Sequence, residues 1–139
     1  MPEKRIFRFR VNADVNELQR VLEFVEECMQ GIECSPKAIM QIRIAVEEIF
    51  VNIAHYAYPG RVGEAVIEVE IADEKTVTIT FIDSGIQYDP LAKPDPDVTL
   101  SASDRNIGGL GIFMTKKIMD DLSYEYRGGQ NVFTMKKSF

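Results

Sequence analysis

Basic charge is in short supply in this chain: 16 lysines and arginines stand against 22 aspartates and glutamates, a formal net charge of −6. A nucleic-acid binder needs a basic face to displace phosphate counterions, so direct nucleic-acid binding is argued against. Long apolar runs are missing as well. No stretch reaches the ~20 apolar residues that cross a bilayer, and the polar start Met1-Pro2-Glu3-Lys4-Arg5 does not read as a secretory signal. A cytoplasmic protein with no membrane partner is the expectation. The two cysteines, Cys28 and Cys34, lack CxxC spacing, and the single histidine, His55, has no supporting residues for a triad or a metal site. No linker or repeat divides the 139 residues, which read as one domain spanning 1–139 and large enough to bury its own core.

What is present is clear periodicity. Phe7, Phe9 and Val11 alternate with Arg8 and Arg10, the period of a half-exposed strand with the arginines on its wet face. Asp14 with Glu17 resembles a capping box, and Leu18, Val21, Leu22, Val25 and Met29 follow at helical spacing until Gly31. Ser35-Pro36 opens a second helix with core stripe Ile39, Ile42, Val46, Ile49 and Ile53, predicted to run to about Tyr58 before Pro59-Gly60. Two alternating strands centred on Ile67 and Ile79 flank the turn Asp73-Glu74-Lys75. Residues 84 to 107 hold Pro90, Pro94 and Pro96 and little apolar periodicity, so a long functional loop is predicted there. A third helix is predicted from about Gly109 to Asp121, with Leu110, Phe113, Met114, Ile118 and Met119 as its apolar set. A final hairpin pairs 122–126 with 132–136 around the turn 127–131. The order β α α β β α β β, with tight turns between consecutive strands, predicts an α+β two-layer sandwich: a mixed, mostly antiparallel sheet with helices on one face.

Three segments carry the chemistry. Glu48 and Asn52 lie four residues apart and share a helix face offset from the core stripe. Many such pairs are solvated surface, but Asn is a poor mid-helix residue and its neighbours Ile49, Phe50, Val51, Ile53 and Ala54 are apolar. A partly buried amide needs a partner, and Mg²⁺ or a phosphate-bound water would serve. Asp83-Ser84-Gly85 ends an apolar strand; the aspartate either forms a turn with its own backbone or accepts a hydrogen bond from an exocyclic amine such as that of adenine, with Gly85 letting a flat ring approach. The tripeptide alone favours the turn. Gly108-Gly109-Leu110-Gly111 precedes an amphipathic helix, and glycines cost a helix interior roughly 1 kcal/mol each relative to alanine. A phosphate cradle at the positive helix end would explain them, and so would a flexible hinge; the segment matches neither the Walker A pattern nor GxGxxG after a strand.

Taken together and in this order, the three segments resemble the boxes of the GHKL (Bergerat-fold) ATPase superfamily, and within it the anti-sigma factor serine/threonine kinases of the RsbW and SpoIIAB type. The N-box reads Glu48-Ile-Phe-Val-Asn52-Ile-Ala-His-Tyr56-Ala-Tyr58, the first glycine box Asp83-Ser-Gly85-Ile-Gln-Tyr88-Asp89-Pro90, and the second Gly108-Gly-Leu-Gly111-Ile. The resemblance implies Glu48 as general base, Asn52 as Mg²⁺ ligand, and Asp83 with Gly85 as the adenine-binding pair. It places Tyr88 in the nucleotide site, residues 91 to 107 as the ATP lid, Gly109 and Gly111 at the phosphates, and Lys93 and Arg105 as lid cations, Arg105 being the cofactor-binding one. The implied cofactors are ATP and Mg²⁺. The implied activity is phosphorylation of a small STAS-type anti-anti-sigma protein by a kinase that also binds a sigma factor, and relatives commonly form homodimers. Two departures stand out: Gln87 replaces the second glycine of Asp-x-Gly-x-Gly, and Tyr56 stands where histidine is common. A non-catalytic nucleotide-binding partner switch and a stressosome-type switch kinase are the alternatives on the same fold.

Overall fold

In the computed structural model, which describes residues 4–92 and 109–139, five strands form one sheet in the order β1-β2-β3-β5-β4. The strands are β1 Lys4–Asn12, β2 Glu64–Ala72, β3 Thr76–Asp83, β4 Asp121–Arg127 and β5 Gln130–Ser138. All four ladders are antiparallel, so the sheet is more regular than the predicted mixed one. The helices are α1 Leu18–Cys28, α2 Pro36–Tyr56 and α3 Gly109–Ile118, with short 3₁₀ turns at Val15–Glu17 and Pro90–Ala92.

Strand alternation decides the layers. Ala65, Ile67, Val69 and Ile71 of β2, Val77, Ile79 and Phe81 of β3, and Phe133 and Met135 of β5 are buried against the helices. From the helices, Val21, Leu22 and Val25 of α1 and Ile42, Val46, Ile49, Phe50 and Ile53 of α2 complete the core. The opposite face carries β1–β2 ion pairs such as Arg8–Glu68 at 2.8 Å and threonines facing one another across β3 and β5. Such exposed pairs add little stability, and the layer on the helix side holds the fold.

The local signals act as their chemistry requires, with a few differences. Ser35 Oγ accepts from Ala38 N at 3.1 Å with Pro36 behind it, which starts α2. Asp14 accepts from Asn16 N rather than Glu17 N, so it caps a 3₁₀ turn and no capping box forms. Ile39 is only half-buried because α2 enters the core one turn later. The helix at 109 stops at Ile118, since Asp120 N is already bonded to Lys136 O beside β4, and Lys137 Nζ caps the Ile118 carbonyl at 2.9 Å. Of the predicted apolar set Ile118 and Met119 are buried, but Ile112 is buried as well and Met114 is 43% exposed. The last hairpin turns on Gly128 and Gly129 alone, at φ 60° and 79°, the two-residue loop that matches strand twist. Gln130 and Asn131 therefore belong to β5, and the register moves Asn131 onto the core face in line with Phe133 and Met135.

Candidate active site

A slot opens between the C-terminal half of α2 and the ends of β3 and β5. Ile49, Ile53, Phe81, Ile86, Tyr88 and Phe133 give it apolar walls, and Asn52, Asp83 and Asn131 are its polar groups. Mostly apolar walls with few convergent polar groups suit a flat heteroaromatic ligand.

At the inner end, Asp83 makes the turn that its first sequence reading expects, and that turn occupies only one of its two oxygens. Oδ1 accepts from Gly85 N at 2.9 Å, which is the turn, and from Asn131 Nδ2 at 2.9 Å. Oδ2 takes no hydrogen bond from the described residues, and Asp83 lines the slot, so Oδ2 is the oxygen left to accept from a ligand there. Burial pushes the Asp83 carboxyl above its ordinary value, while the Asn131 and Gly85 donors pull it back down.

Packing alone requires a glycine at 85. A Cβ there would lie under 3.0 Å from the carbonyl of Ala57, the residue that ends α2, and Ile86 N donates to that same carbonyl at 2.9 Å. The glycine lets the loop dock on the helix end. Tyr58 fastens the same junction: its hydroxyl donates to Glu64 O at 2.6 Å and accepts from Ser84 N at 2.8 Å, which ties the end of α2 to the loop. Tyr88 is half-buried in the slot wall, and its backbone N donates to Asn131 Oδ1 at 3.1 Å. Gln87 is exposed and is not among the slot-lining residues, so the departure from the glycine pattern does not fill the cavity.

At the outer end Asn52 lines the slot, and its Nδ2 donates at 3.1 Å to Oε1 of Glu48, which lines an adjoining hollow with Gly111. This is the contact that helical spacing allows, and it leaves Asn52 Oδ1 and Glu48 Oε2 without a hydrogen bond from the described residues. Burial raises the Glu48 carboxyl above its ordinary value; the Asn52 bond opposes the shift and neighbouring Glu47 adds to it. The carboxylate lies against Gly111 in the first turn of α3, where any Cβ would come under 3.0 Å from both of its oxygens. Gly111 thus seats Glu48. Gly109 is the first residue of α3, and Arg105, Lys93, Gly108 and the lid from residue 93 onward lie outside the described residues.

One oxygen donor fits Mg²⁺. That ion keeps several waters and takes one or two protein oxygens plus substrate phosphates, and Asn52 Oδ1 is a hard oxygen on the slot lining that takes no hydrogen bond from the described residues. No group of three or more His, Cys, Asp or Glu side chains among the described residues forms a self-sufficient metal cage.

Asn131 falls inside the turn predicted at 127–131, and so outside the strand face that the sequence pattern marks. The signal was there in the Gly128-Gly129 pair, which fixes the register and puts an amide on an otherwise apolar strand face.

Residues 11–137 match the histidine kinase-like ATPase domain family. The chain is similar to the serine-protein kinase RsbW of Listeria monocytogenes, 32% identical over 107 residues that cover 73% of this chain and 68% of that one. It is also similar to the serine/threonine-protein kinase BtrW of Bordetella bronchiseptica, 29% identical over 68% of this chain and 66% of the relative. Among solved structures, one of the RsbU and RsbW domains of a Mycobacterium tuberculosis protein superposes with a TM-score of 0.68 at 17% identity, a likeness of fold. The match covers 96% of this chain and 32% of that longer protein. No helix among the described residues is long and apolar enough to cross a membrane.

Proposed function

The chain belongs to the histidine kinase-like ATPase family, and from that membership and the site geometry we propose that it is an ATP-dependent protein serine/threonine kinase. Its substrate is a small STAS-type anti-anti-sigma protein, and it also binds a sigma factor as a cytoplasmic regulator, working as a single catalytic unit or a homodimer of such units. The observation that carries the reading is the pairing of a slot carboxylate, Asp83, with a second, differently held carboxylate, Glu48, in the hollow that adjoins the slot at Asn52.

In this reading the purine lies between Ile53, Ile86 and Tyr88, with Asp83 Oδ2 accepting from its exocyclic amine. Asn52 Oδ1 would hold Mg²⁺, which when bound neutralises phosphate charge and orients the polyphosphate. Glu48 accepts the proton of the serine or threonine hydroxyl. The new O–P bond forms as the bond from the γ-phosphorus to the bridging oxygen breaks, and its electron pair leaves with ADP. Desolvation makes Glu48 a stronger base than a solvated glutamate, which favours this role at neutral pH. Gly111 leaves the room that lets the carboxylate sit there.

The test is transfer from Mg-[γ-³²P]ATP to a purified STAS-domain protein. Label on a serine or threonine, abolished by Glu48→Ala while ADP still binds, is the expected result. Tight ATP binding with no transfer to any partner would favour the non-catalytic partner switch, and transfer undiminished in Glu48→Ala would reject Glu48 as the base.

A further inference from the structure

Asn131 is the most fully bonded side chain of the slot. It is 6% exposed, and Nδ2 donates to Asp83 Oδ1 at 2.9 Å and to Ile86 O at 2.8 Å. Its Oδ1 accepts from Tyr88 N at 3.1 Å and from the Tyr124 hydroxyl of β4. Both amide hydrogens and both lone pairs are in use, the full capacity of the group. The orientation is dictated by its neighbours: the Ile86 carbonyl can only accept and the Tyr88 N–H can only donate, so a flipped amide would break both contacts. One side chain from β5 therefore joins the end of β3, the loop 84–89 and β4.

We infer that Asn131 is a positioning residue that sets base specificity, holding Asp83 so that a single acceptor oxygen faces the slot and a 6-amino purine is preferred over a 6-oxo purine. The inference rests on the nucleotide-binding reading above and deepens it. Asn131 has no bonding capacity left for the base, so selection at the 6-position falls to Asp83 Oδ2. The other oxygen, Oδ1, is pinned by two donors, Gly85 N and Asn131 Nδ2. A 6-amino group donates to the free oxygen. A 6-oxo group sets acceptor against acceptor in a site with little water, and neither oxygen is then satisfied. Without Asn131 the carboxylate loses one of its two pins and the loop loses both of its ties to β5 at Ile86 and Tyr88. Asp83 can then turn aside, which weakens the 6-amino contact and relieves the 6-oxo clash together.

The experiment is calorimetric titration of the full chain with ADP and with IDP, which differ in the 6-substituent and in the N1 proton that accompanies the 6-oxo form. Wild type is expected to favour ADP by on the order of tenfold to a hundredfold, the scale of one hydrogen bond to a charged group. In Asn131→Leu, close in size but without donors, the ratio is expected to fall to within about threefold, mostly through loss of ADP affinity. Asn131→Ser keeps one hydroxyl donor and is expected to give an intermediate ratio; it decides the matter if the leucine variant does not fold. Parallel weakening of both nucleotides with the wild-type ratio preserved would overturn the inference and leave Asn131 a structural residue only. Failure of wild type to bind either nucleotide would instead sink the nucleotide-binding reading itself.

Discussion

At the inner end of the slot, Asn131 uses every hydrogen and lone pair of its amide on protein neighbours, and Asp83 has one oxygen doubly held; at the outer end, Asn52 and the adjoining Glu48 share one hydrogen bond, and each keeps an oxygen with no hydrogen bond from the described residues. Both ends contain a carboxylate whose proton affinity burial has raised. Their surroundings assign them different work. Recognition of a base needs an acceptor fixed in direction, which two donors and a rigid loop provide. Proton transfer and metal binding need groups whose bonding capacity is still free when the ligands arrive, and such groups carry an electrostatic cost in the ligand-free protein. An over-determined slot end therefore adjoins an under-satisfied hollow, with Asn52 between them.

The contrast breaks most sharply at Glu48. Glu48→Ala is expected to slow phosphoryl transfer about 10²–10⁴-fold, the usual contribution of a positioned base, with ADP affinity changed less than about threefold. Single-turnover transfer and calorimetry on the same preparation read the two quantities separately, and a matched fall in both would deny that the two ends work independently. Next comes Gly111→Ala. The new Cβ meets the flexible carboxylate end of Glu48 rather than backbone, so the fold should survive and the base should be displaced. A displacement of the order of 1 Å costs roughly 10² in rate. Alanine is also the better helix former, so an unchanged or higher melting temperature with a large loss of transfer is the expected signature.

How far the sequence foretells this arrangement differs between the two ends. The outer end rests on local spacing: Glu48 and Asn52 at i and i+4 on α2 must be neighbours, and their hydrogen bond follows. The fold is legible for the same reason, since strand alternation and the caps at Ser35 and Gly128-Gly129 are local devices. The inner end depends on contacts between residues far apart in sequence. Asp83 meets Asn131 across β3 and β5 only once their register is fixed, and a turn drawn three residues too wide hides that partner. Gly85 and Gly111 were legible as constrained positions, but what constrains them is packing from α2, which no local pattern reveals. Met114 fails similarly: the helical period marks a stripe, and only the tilt of α3 on α2 decides that Ile112, not Met114, enters the core.

Gly85→Ala probes the rigid end by packing alone. Its Cβ would press on the Ala57 carbonyl, a backbone group that cannot swing away, so α2's end and the loop must part. Overpacking of this kind costs about 1–3 kcal/mol, read as a lower urea midpoint with unchanged slope. The accompanying loss should fall on ADP affinity, because the displaced loop carries Ile86 and Tyr88. A variant as stable as wild type would show that the junction at Ala57 is soft and that the inner end is not rigid.

The smallest effect concerns the cost of keeping Glu48 available. Its folded-state carboxyl holds its proton more tightly than its ordinary value of 4.5, chiefly through burial, so the folded protein binds more protons than the unfolded chain between 4.5 and the raised value. Stability from this group is then complete below about pH 4.5 and is lost as pH rises through the raised value, reaching a plateau where both states are ionised. Glu48→Gln retains an oxygen for Asn52 Nδ2 but has no charge to desolvate. Its melting temperature relative to wild type should therefore be lowest below pH 4.5, climb across that window and stay level to neutral pH. Because Glu48 is only half-buried the rise should be modest, and it should come with loss of transfer. A difference that is flat across pH would mean that the carboxylate is solvated well enough to carry no such cost, and the distinction between a satisfied end and a waiting end would then rest on hydrogen bonding alone.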